Sequence, residues 1–265
     1  MNKIIILSIC LTLTAFSVVV HCKPTQNKVI GGDESGEHEF PYQVSLQWND
    51  GFKPFHFCGG SIINERTVLT AGHCDVSYDR SGYREVVAGE HDFTYNKGVE
   101  QVRQITKFIV HEDYAVGEVG PNDIAIILLS KPFEFNEYVN AINLPIPDEV
   151  PVGNAILTGW GSISTNWNPE YPDVLRKVSL PIIEHDTCKK IYGNPDELET
   201  SNVCAGEIDG SKSGCSGDSG GPLVQKNAKN IVTQIGIVSW GQIPCGQKPT
   251  VFVRVSHFIS WINKL

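Results

Sequence analysis

The chain has 265 residues, 41% of them hydrophobic, and a formal net charge of −9. Residues 1–28 contain three lysines and no acid, so the 237 residues that follow carry a net charge of −12. Such an acidic surface repels phosphate backbones and anionic lipids, which excludes nucleic acid and membrane surfaces as favoured partners. The 25 glycines and 15 prolines are spread along the chain, as is typical of many short strands.

Residues 1–22 have the pattern of a secretory signal peptide. Lys3 gives a positive start, an apolar run extends from Ile4 to Val20, and a polar stretch begins at Lys23. A transmembrane anchor is the alternative, but the run barely reaches the roughly 18 to 20 apolar residues that span a bilayer. We therefore expect a secreted, extracellular protein.

Six of the eight cysteines remain once Cys10 and Cys22, in or beside the signal peptide, are set aside. An even number is typical of disulfides formed in an oxidising compartment. Zinc ligation is the competing use of cysteine, but the sequence contains no C-x-x-C pair and no H-E-x-x-H. No metal-thiolate site is expected.

Three segments have the patterns of β-strands. Apolar and polar residues alternate in 44–48 and 251–255, and the apolar run 124–129 is typical of a strand buried on both faces. Three prolines near the middle of the chain cannot lie inside a sheet, and we predict a connection between two β domains near 136–151. Helical spacing is clear only at the C-terminus, where apolar residues recur at Phe258, Trp261, Ile262 and Leu265. Ser256 is the candidate N-cap of this helix.

Ser219 is the candidate nucleophile, because it stands between glycines in Gly-Asp-Ser-Gly-Gly-Pro at 217–222. Glycines allow the backbone to turn several N–H groups toward one point, as a developing oxyanion requires, although an ordinary turn is the alternative. The same letters fit the G-x-S-x-G of α/β-hydrolases, whose acid follows the serine. No Asp or Glu occurs after Gly220, so the lipase or esterase interpretation fails.

The candidate base and acid therefore lie upstream. His73 has small neighbours that give its ring room, and Cys74 beside it can fix the backbone. Asp123 opens the apolar run that begins at Ile124, so its carboxylate is expected at the edge of a core. A structural histidine and a strand-start cap are the simpler interpretations. A buried histidine N–H would satisfy the carboxylate, so each residue explains the other.

At these residues the sequence resembles the chymotrypsin family. Thr-Ala-Gly-His-Cys at 70–74, Asn-Asp-Ile-Ala at 122–125 and Gly-Asp-Ser-Gly-Gly-Pro at 217–222 occur in that family's order. Val-Ile-Gly-Gly at 29–32 and Ser-Trp-Gly at 239–241 extend the resemblance along nearly the whole remaining chain. Three spaced motifs in register are hard to obtain by chance.

The resemblance implies an all-β fold over residues 29–265, with two antiparallel six-stranded β-barrels and a C-terminal α-helix. The catalytic cleft would lie between the barrels. Of the fifteen pairings open to six cysteines, the resemblance implies Cys58–Cys74, Cys188–Cys204 and Cys215–Cys245.

It further implies a serine endopeptidase in which Ser219 attacks the peptide carbonyl, His73 carries the proton and Asp123 orients the ring. The backbone N–H groups of Gly217 and Ser219 would hold the oxyanion. A catalytically inactive homologue that serves as a binding module is one alternative, although all three residues are intact. A structural, disulfide-rich secreted protein is another, and it leaves the three motifs as coincidence.

The resemblance also implies activation by cleavage, since residues 23–28 fit a short propeptide cut after Lys28 by a trypsin-like protease. The freed amine of Val29 would pair with Asp218 and order the loop that carries the oxyanion donors. We therefore expect a monomeric zymogen whose partners are protein or peptide substrates, an activating protease and protease inhibitors.

Specificity in this family is set by a pocket for the residue before the scissile bond, here with Ser213 at its base and Ser239 in the substrate-binding segment. A pocket without an acid disfavours Lys and Arg. Gly241 matches the open wall of chymotrypsins, whereas Thr250 resembles the elastase side and would shorten the pocket. We expect a preference for apolar residues such as Leu, Phe, Tyr or Met, with Ala or Val as the alternative.

Glu90 and Glu100 bracket a loop at the spacing of the calcium loop in trypsin-like relatives, and carboxylate oxygens suit that ion. The alternative is that they are ordinary surface glutamates that bind no ion. Lys97 favours this alternative, because relatives often have another acid at its position in the loop. No other metal or cofactor is expected.

Overall fold

The computed structural model describes residues 30–76, 81–115, 120–193 and 195–265. The predicted signal peptide 1–22, the propeptide 23–28 and the residue after the predicted cut, Val29, lie outside the described residues. Within the described ranges, no helix is both long and apolar enough to cross a membrane.

The first barrel consists of six antiparallel strands that close on themselves. A two-residue strand, β1 (Asp33–Glu34), precedes it and pairs with the second barrel. Around the first barrel the order is β2-β3-β4-β7-β6-β5. The bounds are β2 (Gln43–Asn49), β3 (Phe55–Asn64), β4 (Thr67–Thr70), β5 (Tyr83–Ala88), β6 (Gln101–Val110) and β7 (Ala125–Leu129).

The second barrel also has six antiparallel strands, in the order β9-β10-β13-β12-β11-β8, and a pairing of β8 with β9 closes it. The bounds are β8 (Asn154–Gly159), β9 (Arg176–Ile183), β10 (Asn202–Ala205), β11 (Pro222–Lys226), β12 (Val232–Trp240) and β13 (Thr250–Arg254). One helix, α1 (His185–Ile191), lies between β9 and β10. The predicted all-β fold of two barrels is confirmed.

Each barrel has its own apolar core. Alternating residues of β2, such as Val44 and Leu46, point into the first core, where Ile124 and Ile126 are also fully buried. A second cluster, which includes Leu157, Leu223 and Phe252, fills the other barrel. Polar residues of β2 are buried as well, because they are satisfied within the protein: Gln43 accepts from the Thr158 hydroxyl of the second barrel, and Ser45 bonds to His56 of β3.

The C-terminal segment differs in part from its prediction. It begins as a 3₁₀ helix, Val255–Phe258, and only Ile259–Ile262 forms an α-helix, α2. Ser256 does not cap it, because the Ser256 hydroxyl donates instead to the Glu149 carbonyl at 2.6 Å. Leu265 is exposed, whereas Phe258, Trp261 and Ile262 pack against the core of the first barrel as the spacing predicted.

The three disulfides implied by the resemblance, Cys58–Cys74, Cys188–Cys204 and Cys215–Cys245, are all present. Two of them adjoin the predicted catalytic residues. The first fixes the residue after His73 to β3, and the third ties the segment before Ser219 to the loop after β12. Both restrict backbone motion next to the site.

Candidate active site

Asp123 holds His73 through two hydrogen bonds. Its Oδ1 accepts the backbone N–H of His73, and its Oδ2 bonds to the ring Nδ1, each at 2.8 Å. Asp123 is 3% exposed, whereas the His73 side chain is about one-third exposed. A carboxylate can only accept, so the proton lies on Nδ1 and Nε2 is left as the basic nitrogen.

The local backbone explains this placement. His73 lies in a short 3₁₀ helix, Gly72–Cys74, between the end of β4 and the disulfide. A Cβ at Gly72 would lie 3.2 Å from Asp123 Oδ1, so a glycine lets the two segments approach closely. Asp123 lies two residues before β7, and it is buried beside the histidine together with the apolar run that begins at Ile124.

Ser239 provides a further donor to the same carboxylate. Its hydroxyl donates to Asp123 Oδ2 at 2.6 Å, across the interface between the barrels. The carboxylate thus accepts three hydrogen bonds, which is how a buried charge is satisfied. Sequence reasoning assigned Ser239 to substrate binding and missed this contact.

Ser219 is brought from the second barrel to the same place. Its carbonyl accepts the N–H of Gly59 in β3 at 2.7 Å. A Cβ at Gly220 would lie 3.1 Å from Cys74 Sγ, so the serine loop packs against the residue that follows His73. No hydrogen bond joins the Ser219 hydroxyl to the His73 ring among the described residues. Such bonds are often long in free enzymes and shorten when substrate binds.

The loop before Ser219 is shaped by Gly217 and a buried histidine. Gly217 has a φ of 97°, a conformation open chiefly to glycine. Its carbonyl accepts from His56 Nε2 at 2.8 Å, and the ring's Nδ1 accepts from the Ser45 hydroxyl at 2.8 Å. This fixes the tautomer, because the Gly217 carbonyl can only accept. Burial lowers the pKa of His56 to about 4, so the ring is neutral at neutral pH.

Anchoring of the Gly217 carbonyl leaves backbone donors available at the site. Within the described residues, no hydrogen bond engages the backbone N–H of Gly217 or of Ser219. Two unengaged N–H groups beside a serine hydroxyl can bind the oxygen of a carbonyl under attack.

Asp218, between these donors, is completely buried. Its Oδ1 accepts the N–H of Gly161 at 2.8 Å, and its Oδ2 accepts the N–H of Cys215 at 2.9 Å. Burial raises the pKa of Asp218 to about 6, and the two N–H donors only partly offset that effect. No cationic side chain of the described residues pairs with this carboxylate.

A cavity of about 220 Å³ opens beside Ser219 and contains three of the four predicted specificity residues: Ser239, Gly241 and Thr250. The fourth, Ser213, does not line it; it is buried next in the chain to the lining residue Gly214, and its Oγ has no partner among the described residues. Thr250 Oγ1 accepts the N–H of Gly214 at 2.7 Å. A Cβ at Gly241 would meet no atom within 4 Å, so this wall of the cavity is open.

The two candidate calcium ligands are engaged with backbone N–H groups. Glu100 accepts from Lys97 and Gly98 at 2.8 Å each, and Glu90 accepts from His91 at 2.9 Å. Burial and the charge of Glu100 raise the pKa of Glu90.

Among the described residues, the one cluster of three potential side-chain metal ligands is Cys58, His73 and Cys74. Its two sulfurs form a disulfide and offer no thiolate.

Sequence reasoning missed His56 and Ser45. His56 is 161 positions from the Gly217 carbonyl that it holds, and its neighbours form no motif. Only the paired strands reveal its role, because β2 and β3 bring Ser45 and His56 together.

Comparison with known proteins agrees with this geometry. The family described as Trypsin matches residues 29–262. Trypsin-1 of Astacus astacus is 40% identical over 239 residues, which cover 89% of this chain and 98% of that protein. Chymotrypsin-like elastase family member 1 of Felis catus is 38% identical over 248 residues, with 91% and 90% covered.

The chain therefore belongs to the trypsin family of serine endopeptidases, which hydrolyse peptide bonds in protein substrates. The chain is similar to a trypsin and to an elastase, so the comparisons identify its family but do not decide which substrates it prefers.

Proposed function

We propose that the chain is a secreted serine endopeptidase whose catalytic triad consists of His73, Asp123 and Ser219. The observation that carries this proposal is the pair of hydrogen bonds that His73 donates to the Asp123 carboxylate, next to a serine loop with two unengaged N–H donors. The signal-peptide pattern of residues 1–22 supports secretion.

In this mechanism Ser219 Oγ attacks the peptide carbonyl while His73 Nε2 takes its proton. Asp123 keeps the ring in the required tautomer and stabilises the cation that forms. The N–H groups of Gly217 and Ser219 bind the oxyanion, an effect of about 3 to 4 kcal/mol per donor. His73 then returns the proton to the leaving amine, and water hydrolyses the acyl-enzyme.

The proposed preference before the scissile bond is for medium to large apolar residues, with Ala or Val as the alternative. The open wall at Gly241 supports the larger side chains, whereas Thr250 narrows the opposite side. None of the described residues that line the cavity beside Ser219 is charged, which supports exclusion of Lys and Arg, because a buried cation without a partner is unstable.

The proposed activation step is cleavage after Lys28. Ile30, the second residue of the resulting chain, is buried, and its carbonyl accepts the N–H of Ser213 at 3.3 Å. The described chain thus enters the protein close to the loop that carries Asp218. A Val29 amine placed there would pair with the buried carboxylate, and full activity with Lys28 still attached would contradict this step.

Two measurements test the function. After activation, a fluorophosphonate probe should label wild type at Ser219 but not Ser219→Ala, whereas an inactive homologue would not react at all. Ser219→Ala is expected to lower turnover by about 10⁶-fold. Cleavage of a peptide library would then give the preferred residue before the scissile bond.

A further inference from the structure

A cavity of about 340 Å³ lies on the second barrel and shares no lining residue with the cavity beside Ser219. Neighbouring strands β9 and β13 end at it and β10, which pairs with both, begins there. We therefore call it the strand-end cavity. The segment 150–153, which precedes β8, also lines it. Six of the lining residues are aliphatic: Val150, Pro151, Val152, Ile182, Ile183 and Val203.

Arg254, at the end of β13, brings a buried cation to this aliphatic lining. It is 9% exposed, and no carboxylate of the described residues forms an ion pair with it. Its Nε donates to the Thr200 carbonyl at 2.9 Å, and its Nη1 lies 3.4 Å from both the Asp148 carbonyl and the Ser256 hydroxyl. No hydrogen bond engages Nη2 within the described ranges. A buried charge is unfavourable without an opposite charge, so an anion in the cavity would be stabilised.

The cavity is formed by backbone that is already held in place. The N–H of Ile182 donates to the Gly153 carbonyl at 2.7 Å, which joins β9 to the segment before β8. The Ser256 hydroxyl donates to the Glu149 carbonyl at 2.6 Å, which ties the start of that segment to the end of β13. A ligand would therefore bind without having to order the chain around it, and this lowers the free-energy cost of binding.

The aliphatic residues favour an alkyl chain as the rest of the ligand. Val150 and Val152 are 69% and 75% exposed on either side of the buried Pro151, whereas Val203 is 7% exposed. Covering exposed aliphatic surface is favourable. The volume corresponds to about eleven groups the size of a water molecule, which matches a carboxylate joined to a chain of about eight carbons.

The other titratable side chains that line the cavity are Glu184 and His185. Glu184 is exposed, and its carboxylate accepts the N–H groups of Asp186 at 3.1 Å and of Thr187 at 2.9 Å. Its charge is therefore compensated by these donors and screened by water. Arg254 has no such counterpart among the described residues, so the lining favours an anion over a cation.

We propose that the strand-end cavity binds a medium-chain alkyl carboxylate, with the carboxylate on the Arg254 guanidinium and the chain against the aliphatic residues. The planar guanidinium matches the geometry of a carboxylate. The site is separate from Ser219, so the ligand is neither substrate nor product of peptide hydrolysis. A ligand that binds only the folded protein stabilises it, which makes the carboxylate a stabilising effector of the protease.

The test titrates octanoate and its neutral analogue octanamide into the protein carrying Ser219→Ala, which prevents self-digestion, by calorimetry and by melting. We expect octanoate to bind at least about 10-fold more tightly than octanamide. A concentration of about tenfold the dissociation constant should raise the unfolding midpoint by about 4 °C. From butanoate to octanoate, affinity should rise about fourfold per methylene.

Exposed Val152 allows the charge at the cavity to be changed without disturbing the core. Val152→Glu should weaken octanoate binding about threefold, and Val152→Lys should strengthen it by a similar factor. Octanamide should bind both variants equally, because it carries no charge. The matched control is Val102→Glu, on β6 of the first barrel, where the valine is 51% exposed. It should leave octanoate binding unchanged.

Arg254→Gln should bring the octanoate-to-octanamide ratio close to one, whereas Arg254→Lys should keep a preference for octanoate. This ratio is measured within each variant, so a general loss of stability does not affect it. If Arg254→Gln does not fold, the opposite effects expected of the two Val152 variants decide. The proposal is refuted by equal binding of octanoate and octanamide to wild type, or by no change of midpoint at about 10 mM octanoate. Equal weakening by Val102→Glu and Val152→Glu would also refute it.

Discussion

Asp123 holds His73 at two points, the backbone N–H through Oδ1 and the ring Nδ1 through Oδ2. The first bond fixes where the residue lies and the second fixes how its ring is turned and protonated. Both oxygens belong to one carboxylate. Replacing only the oxygen that faces the ring can therefore change the protonation of the His73 ring without changing the position of its backbone.

Replacing Asp123 by Asn makes that separation. The amide oxygen can still accept the backbone N–H of His73, but the NH₂ group facing the ring is a donor, which forces the proton onto Nε2. Nε2 can then no longer accept from Ser219. We expect kcat to fall by about 10⁴-fold with little change in KM. The check is steady-state hydrolysis of a short ester, with melting curves to verify the fold; activity within tenfold of wild type would contradict the assigned role.

The Ser239 hydroxyl offers a milder perturbation of the same carboxylate. It donates to Asp123 Oδ2 at 2.6 Å, and hydrogen bonds to charged groups contribute about 1.5 to 3 kcal/mol. If this hydrogen bond stabilises the transition state by the lower of these values, about 1.5 kcal/mol, Ser239→Ala lowers kcat about 10-fold.

Ser201→Ala is the matched control for this variant, because Ser201 is also buried but its hydroxyl has no partner among the described residues. We expect this control to retain the kcat of wild type. Equal kcat values for the two variants would show that the Ser239 contact does not matter for catalysis.

Short strands and the three candidate catalytic residues could be predicted from local patterns in the sequence, whereas the fold of two six-stranded barrels came through the family resemblance. His73 and Ser219 lie among small residues, and Asp123 opens an apolar run. The disulfide pairing came only through the family resemblance, since six cysteines alone leave fifteen options.

Long-range hydrogen bonds account for what the sequence could not reveal. His56 bonds to a carbonyl 161 positions away, and Ser239 to a carboxylate 116 positions away. The predicted cap at Ser256 was wrong for the same reason, because its hydroxyl donates to a carbonyl 107 positions away. A polar side chain in the sequence gives no sign of which distant partner the fold will supply.

Asp218 should make the precursor pH-sensitive. While Val29 is still joined to Lys28, no free amine is available to pair with this carboxylate, and burial raises its pKa from the ordinary 3.8 to about 6. The folded state then binds the extra proton, so stability falls as pH rises from about 4 to above 6. The loss is on the order of 3 kcal/mol. Cleavage supplies the Val29 ammonium as a partner for Asp218 and should remove most of this loss of stability.

Unfolding midpoints against pH test this, with precursor and cleaved protein both carrying Ser219→Ala to prevent self-digestion. A precursor that also carries Asp218→Asn is the control, because the amide does not titrate. We expect the fall in stability only in the precursor with Asp218. The same pH slope in all three proteins would show that this carboxylate is not responsible.

Gly241 allows the preference before the scissile bond to be tested without disturbing the fold. A Cβ there meets no atom within 4 Å, and the residue lines the cavity beside Ser219, so the side chain of Gly241→Val should enter the mouth of the pocket. Large side chains lose contact area and small ones do not, and pockets discriminate by about 1 to 3 kcal/mol per methylene. We expect kcat/KM for Phe and Leu substrates to fall at least about 10-fold, with Ala substrates affected far less. If Phe and Ala substrates lose activity equally, the cavity beside Ser219 is not the one that holds the residue before the scissile bond.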